Sequence, residues 1–327
     1  MPLFDLPFED LVTYRPHVAE PDDFDEFWAR TLSEARGYDL ALRAEPVDSG
    51  LRHVDVSDVT FAGFGGHPIK GWYARPAGVR EDLPVVVNYI GYSGGRGRPH
   101  EHTLIPAAGY AYLIMDTRGQ GYSGSGGATP DPVGHGPARP GFLTRGLRDP
   151  QEYYYRRLYT DAARAVEVAR ELPGTDPARV VVSGGSQGGG IAIAAAALVP
   201  DVQGVLADVP FMQHVRRAVE ITPATPYAEL SEYLAVHREE VEQVWRTISY
   251  VDGVNLARRA VAPALYSVAL MDMVCPPSTV YASFNHYGER AAEDVEKRIE
   301  VWSYTGHEGG GAYQRERALA WLRELFA

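Results

Sequence analysis

Hydrophobic positions follow two alternating rhythms along the chain. Pro84-Val85-Val86-Val87-Asn88-Tyr89-Ile90 and Tyr110-Ala111-Tyr112-Leu113-Ile114-Met115 are short continuous apolar runs that end in glycine-rich turns, the pattern of strands buried on both faces. The period then lengthens to that of a helix: Leu158, Ala162, Ala165, Val166, Ala169 and Leu172 share one face over residues 153–172. The turn Pro173-Gly174 introduces a strand at 179–183, a helix from Gly189 to Leu198 and a strand at 204–207. After an interruption the alternation resumes with a strand at 264–270, a helix at 278–287, a strand at 299–304 and a closing helix at 313–326. Strands alternating with helices predict an α/β fold, a mostly parallel central sheet covered by helices on both faces.

The flanks break this rhythm. Phe24, Phe27, Trp28, Leu32 and Ala35 form a helical stripe over 22–36, introduced by Asp22 and Asp23, within an N-terminal helical arm over 1–50. Residues 51–75 turn strand-like around Val54, Val56 and Val59, with Gly63 to Gly66 as a turn, and predict an antiparallel entry to the sheet. Residues 211–260 are polar and helical around Tyr227 to Ile248, the pattern of a cap inserted over the sheet edge. Length alone favours two domains at about 150 residues each. The single continuous rhythm instead predicts one domain over 1–327 carrying an arm and a cap.

Charge and cysteine content narrow the partners. With 31 basic and 43 acidic residues the net charge is −12, which repels phosphate backbones and anionic lipid, so neither nucleic acid nor a membrane is an expected partner. Cys275 is the sole cysteine, which excludes an intrachain disulfide and a multi-cysteine metal site. The first ten residues lack a basic segment followed by an apolar one, and the longest apolar stretch, Gly188 to Pro200, is shorter than the roughly 20 residues a membrane span needs. The expectation is a soluble, cytoplasmic protein.

Candidate chemistry centres on Gly184-Gly185-Ser186-Gln187-Gly188, a G-x-S-x-G pattern lying between a β-branched run and an alanine-rich helix. A serine on so tight a strand-to-helix turn needs small neighbours, and the helix beyond it directs N–H groups at charge forming on a substrate. A serine nucleophile needs a base in a loop at the carboxyl end of a strand. His307, after the last strand in Thr305-Gly306-His307-Glu308-Gly309-Gly310, meets that condition, with His100 and His102 as competitors. The acid that orients the base should follow an intervening strand; Asp272 does, with Asp208 as its competitor. The chain order Ser186, Asp272, His307 is that of α/β-hydrolases. Cys275, in a Cys-Pro-Pro turn, reads as a small buried hydrophobe. Oxyanion donors are expected from the Gln187 N–H and from the loop Gly91-Tyr92-Ser93-Gly94-Gly95, at Tyr92.

Together Arg118-Gly119-Gln120, Gly184 to Gly188, Asp272-Met273-Val274-Cys275-Pro276-Pro277 and His307-Glu308 make the chain resemble the acetyl xylan esterase and cephalosporin-C deacetylase family, carbohydrate esterase family 7. Similarity continues through Gly91 to Gly95, Gly141 to Gly146 and Tyr153 to Arg156. The resemblance implies a Ser186–Asp272–His307 triad, an oxyanion hole from the Tyr92 and Gln187 amides, and neither metal nor cofactor. It further implies deacetylation of short xylo-oligosaccharides and cephalosporins, and a homo-hexamer for which the arm and the 51–75 strands would offer contact surfaces. Arg118 reads as a structural ion-pair residue near the site. A carboxylesterase or peptidase of other acyl preference is the alternative on the same fold, and a non-catalytic ligand sensor the alternative outside enzymes.

Overall fold

Successive side chains of a strand point to opposite faces, and the β-branched runs here are split between two helical layers accordingly. In the computed structural model, which describes residues 3–133 and 140–327, nine strands form one sheet. They are β1 (Arg43–Val47), β2 (Val54–Ala62), β3 (Pro68–Pro76), β4 (Leu83–Tyr89), β5 (Ala111–Met115), β6 (Thr175–Gly185), β7 (Gly204–Asp208), β8 (Ala264–Ala269) and β9 (Lys297–Trp302). Their order is β1-β2-β3-β5-β4-β6-β7-β8-β9. β1, β2 and β3 run antiparallel to their neighbours, and from β5 to β9 every pairing is parallel.

The helices are α1 (Phe8–Thr13), α2 (Phe24–Arg36), α3 (Leu104–Ala107), α4 (Tyr154–Glu171), α5 (Gln187–Leu198), α6 (Val215–Ile221), α7 (Ala228–Val236), α8 (Val241–Ser249), α9 (Gly253–Ala257), α10 (Pro277–His286) and α11 (Gly311–Leu325). Val85, Val87, Val180, Val182 and Val205 pack on one face with Trp28 of α2, Leu158 of α4, Ile191 of α5 and Val280 of α10. Val86, Val181, Leu206 and Leu265 pack on the other with Ile105 of α3 and Trp321 and Leu322 of α11. No helix among the described residues is long and apolar enough to cross a membrane.

Two segments differ from the sequence expectation. Residues 43–47, assigned to a helical arm, form edge strand β1, in register from Arg43 opposite Thr60 to Val47 opposite Val56. An Arg-Ala-Glu-Pro-Val edge strand buries neither face fully and carries a proline, so no periodic signal marks it. The 211–260 segment is also not one cap. All of α9 is buried against α5 and α10 and belongs to the helical layer. Asp252 joins α9 to α6, its carboxylate accepting the N–H groups of His214 (3.0 Å), Val215 (2.8 Å) and Val254 (2.9 Å). By contrast α7 packs on a short turn at Phe142–Thr144.

Candidate active site

β6 ends at Gly185 and α5 begins at Gln187, so Ser186 alone turns the chain. Its φ of 57° and ψ of −123° lie in a region L-residues avoid at a cost of order 1–3 kcal/mol. Neighbouring strand ends hold it there: its N–H donates to the Asp208 carbonyl at 2.8 Å, and its carbonyl accepts the Phe211 N–H at 2.9 Å. The flanking glycines are a steric requirement. A Cβ on Gly184 would lie 2.4 Å from the Gly188 backbone, and one on Gly188 would lie 2.1 Å from the Tyr89 carbonyl oxygen.

The loops after β8 and β9 bring two further side chains to this turn. They are joined by Leu270 N–H to Trp302 O at 3.0 Å and Met271 N–H to Thr305 O at 3.1 Å. His307 Nε2 lies 3.0 Å from Ser186 Oγ and His307 Nδ1 2.8 Å from Asp272 Oδ2. Asp272 is fully buried, and its Oδ1 accepts the N–H groups of Val274 (2.8 Å) and Cys275 (3.0 Å). With Oδ2 accepting from Nδ1–H, the other ring nitrogen is the acceptor facing the serine hydroxyl, the arrangement of a general base. Beyond His307 the chain turns back through Gly309, Gly310 and Gly311 at φ of 56°, 83° and 53°, which only glycine adopts in succession.

The competitors lie elsewhere. His100 is exposed, and His102 Nε2 is bound to the Arg96 carbonyl at 2.7 Å. Asp208 accepts Gln314 Nε2 at 2.7 Å instead of the imidazole, and burial pushes its carboxyl up to about 6. Cys275 is fully buried, which with the Asp272 charge pushes its thiol well above the ordinary range. Asp272, Cys275 and His307 are the one group among the described residues whose possible metal-ligating atoms lie within 4.8 Å of one another. Two of those atoms already bind each other.

Gln187 opens α5, so its N–H has no intrahelical acceptor and points from the positive helix end. Tyr92 is anchored by its hydroxyl, which donates to Glu229 Oε1 on α7 at 2.6 Å and accepts the Phe142 N–H at 3.0 Å. Glu229 also accepts the Leu143 N–H at 3.2 Å. Glu229 is not marked in the sequence, because no local pattern signals a contact 137 residues from its partner. Arg118 is fully buried and pairs with Asp161 through Nε at 2.5 Å and Nη2 at 2.8 Å, and with Asp131 at 3.3 Å.

A cavity of about 190 Å³ is lined by Ser186, His307, Gly185, Asp208, Glu308 and Arg315. A second, of about 270 Å³, shares Gly185, Asp208 and Arg315 and lies against β4, α3 and α11, with none of Ser186, Asp272 and His307 in its lining.

A mostly parallel sheet with a serine at a strained strand-to-helix turn defines an α/β-hydrolase. Two solved structures share the fold over nearly its whole extent. Acetyl xylan esterase from Paenibacillus sp. R4 is 37% identical with a TM-score of 0.89, covering 98% of this chain and 99% of that one. Acetyl xylan esterase 1 from Thermoanaerobacterium sp. JW/SL YS485 is 32% identical with a TM-score of 0.89, covering 99% and 100%. The chain belongs to the acetyl xylan esterase (AXE1) family, whose model matches residues 1–325. An acetyl esterase of Xylanibacter ruminicola is 28% identical over 274 residues; the match takes in 83% of this chain and 61% of that protein's length.

Proposed function

We propose that the protein is a serine esterase that removes acetyl groups from short xylo-oligosaccharides and related small esters, cephalosporin C included. The observation that carries this is the hydrogen-bonded relay from Ser186 through His307 to the buried Asp272, in a chain of the acetyl xylan esterase family. Ser186 Oγ attacks the acetyl carbonyl as His307 Nε2 takes its proton, and the Tyr92 and Gln187 amides hold the oxyanion. Collapse breaks the ester bond, His307 returns the proton to the departing sugar alcohol, and Ser186 keeps the acetyl group. Water, deprotonated by His307, then attacks the acetyl-enzyme, the bond from the acetyl carbon to Ser186 Oγ breaks, and His307 returns the proton to Oγ as acetic acid leaves. The family resemblance also supports a cytoplasmic homo-hexamer, for which light scattering should give six times the 35.9 kDa chain mass.

The test is an acyl-length series of nitrophenyl esters with an acetylated xylo-oligosaccharide included, on the wild type and Ser186→Ala. Sharp preference for acetyl and a loss of about 10⁴-fold or more in the variant are expected. Equal or faster butyrate cleavage would favour a carboxylesterase of other acyl range. Unchanged turnover in Ser186→Ala would remove the serine mechanism.

A further inference from the structure

We propose that Gln120 is a positioning residue that holds the two halves of the oxyanion site in register, tying the Tyr92–Ser93 peptide to Gln187 through one side-chain amide. This rests on reading Ser186 as the nucleophile and the Tyr92 and Gln187 amides as oxyanion donors. The Tyr92 donor stands on the loop after β4 and the Gln187 donor opens α5, and a side chain from the loop after β5 bonds the N–H of the residue following the first and the side chain of the second.

Gln120 is 3% exposed and all of its hydrogen-bonding capacity is used. Its Oε1 accepts the Ser93 N–H at 2.7 Å and Gln187 Nε2 at 3.3 Å. Its Nε2 donates to Gln187 Oε1 at 3.0 Å and to the Tyr154 hydroxyl at 3.0 Å. The two glutamines therefore pair head to tail, amide against amide. The orientation is fixed by chemistry: the Ser93 N–H can only donate, so the Gln120 oxygen must face it, leaving the nitrogen for Tyr154. Tyr154 in turn donates to the Arg118 carbonyl at 2.6 Å. The Gln187 side chain is held from its far side too, donating to the Ile90 carbonyl at 3.1 Å and accepting the Tyr155 hydroxyl at 3.0 Å.

The grip extends to the backbone. Ser93 sits at φ 68°, an unfavourable value for a residue with a Cβ. Its carbonyl accepts the N–H groups of Gly121 (3.2 Å), Tyr122 (3.1 Å) and Ser123 (3.2 Å), while its N–H is taken by Gln120. Residues 120–123 thus clasp the peptides on both sides of Ser93, one of which begins at Tyr92. The clasp is rooted in α4 by the buried pairing of Arg118 with Asp161. Arg118-Gly119-Gln120 accordingly divides into a root, a turn at φ 66° and a reach. Oxyanion donors act only within about 2.7–3.1 Å of the developing charge, and a 1 Å misplacement costs on the order of 10²-fold. Gln120 has no hydrogen bond to Ser186 or His307 in this network, so it acts through the donors.

The experiment compares Gln120→Glu, which keeps an oxygen for Ser93 but loses both donors, with Gln120→Met, which keeps the bulk and loses every bond. Readouts are nitrophenyl acetate hydrolysis, inhibition by a trifluoromethyl ketone whose serine adduct carries an oxyanion, and the pH profile of kcat/KM. Expected are a kcat lower by about 10- to 100-fold, a KM within about threefold, and ketone affinity lower by the same factor as kcat. The His307 limb of the pH profile stays in place. Adding Gln187→Met to Gln120→Met should cost less than the two single changes multiplied together, because both break the same pair. A kcat within twofold of wild type in both variants overturns the proposal, as does a loss of kcat without the matching loss of ketone affinity, or failure of both variants to fold. Ser186→Ala at full activity would instead overturn the functional reading, and this proposal with it.

Discussion

At the scale of single residues, the site is defined by which oxygen of Asp272 faces which donor. Oδ1 takes two backbone N–H groups, from Val274 and Cys275, and Oδ2 takes the imidazole. In Asp272→Asn the carbonyl oxygen must stay with the two N–H groups, because an amide nitrogen there would meet donors on both sides. The NH₂ then faces His307 Nδ1 and makes that nitrogen the acceptor, so Nε2 carries the proton and presents a donor to Ser186 Oγ. The imidazole keeps its place and loses its ability to act as base. Turnover of an acetyl ester at neutral pH should fall by about 10³- to 10⁴-fold, with thermal unfolding little changed. A variant within tenfold of wild type would show that the Asp272 contact does not select the tautomer.

At the scale of elements, the turn between β6 and α5 depends on how closely α5 passes the end of β4. A methyl group on Gly188 would stand 2.1 Å from the Tyr89 carbonyl oxygen and 2.8 Å from its carbon. Both belong to a strand paired on each side, with β5 and β6, so the strand cannot yield. Gly188→Ala should destabilise by about 3 kcal/mol or more, read as a lower urea midpoint, and ester hydrolysis should fall with it. An unchanged midpoint would mean that α5 can shift without loss. This crossing was legible in the sequence because it imposes a composition: small residues around one serine, a β-branched run before it and alanines after it. The inner parallel strands β4, β5, β7 and β8 were legible for the same reason, since burial on both faces leaves mostly apolar residues. β1 was not, because an edge strand is held by its ladder and not by a buried face. Nor was α9 separable from the polar helices before it, as five residues are too few to establish a period. Within the site, Ser186, Asp272 and His307 could be placed by their distance past a strand end. The pairing of Gln120 with Gln187 spans 67 residues and requires knowing which loops stand side by side.

At the scale of the whole molecule, stability against pH is a sum of opposed contributions. The Arg259 guanidinium hydrogen-bonded to Asp25 holds that carboxyl below its usual range, a contribution present at neutral pH and lost in acid. Buried carboxyls act the other way. Burial pushes Asp208 up to about 6 against an ordinary 3.8, and Asp252 likewise to about 6. Between those values the native state still holds the proton that the unfolded chain has released, so stability falls as pH rises from about 4 to about 6. For Asp208 the loss is roughly 1–3 kcal/mol, the lower figure allowing for solvent in the two cavities it lines. Asp208→Asn removes this titration and leaves an oxygen for Gln314 Nε2. Gln314 and Ser267, which hydrogen-bond the carboxyl, are neutral, and the Arg315 cation acts to lower it, while His307 and Glu308 line one of the cavities beside it and Glu101 and His102 the other. The wild-type curve mixes every carboxyl, whereas the difference between wild type and variant isolates this one. Urea unfolding should therefore show the variant gaining on the wild type between pH 4.5 and 7.5, with the gain complete above pH 7. Parallel stabilities across that range would mean that Asp208 stays ionised in the folded protein, solvated from the cavity beside Ser186.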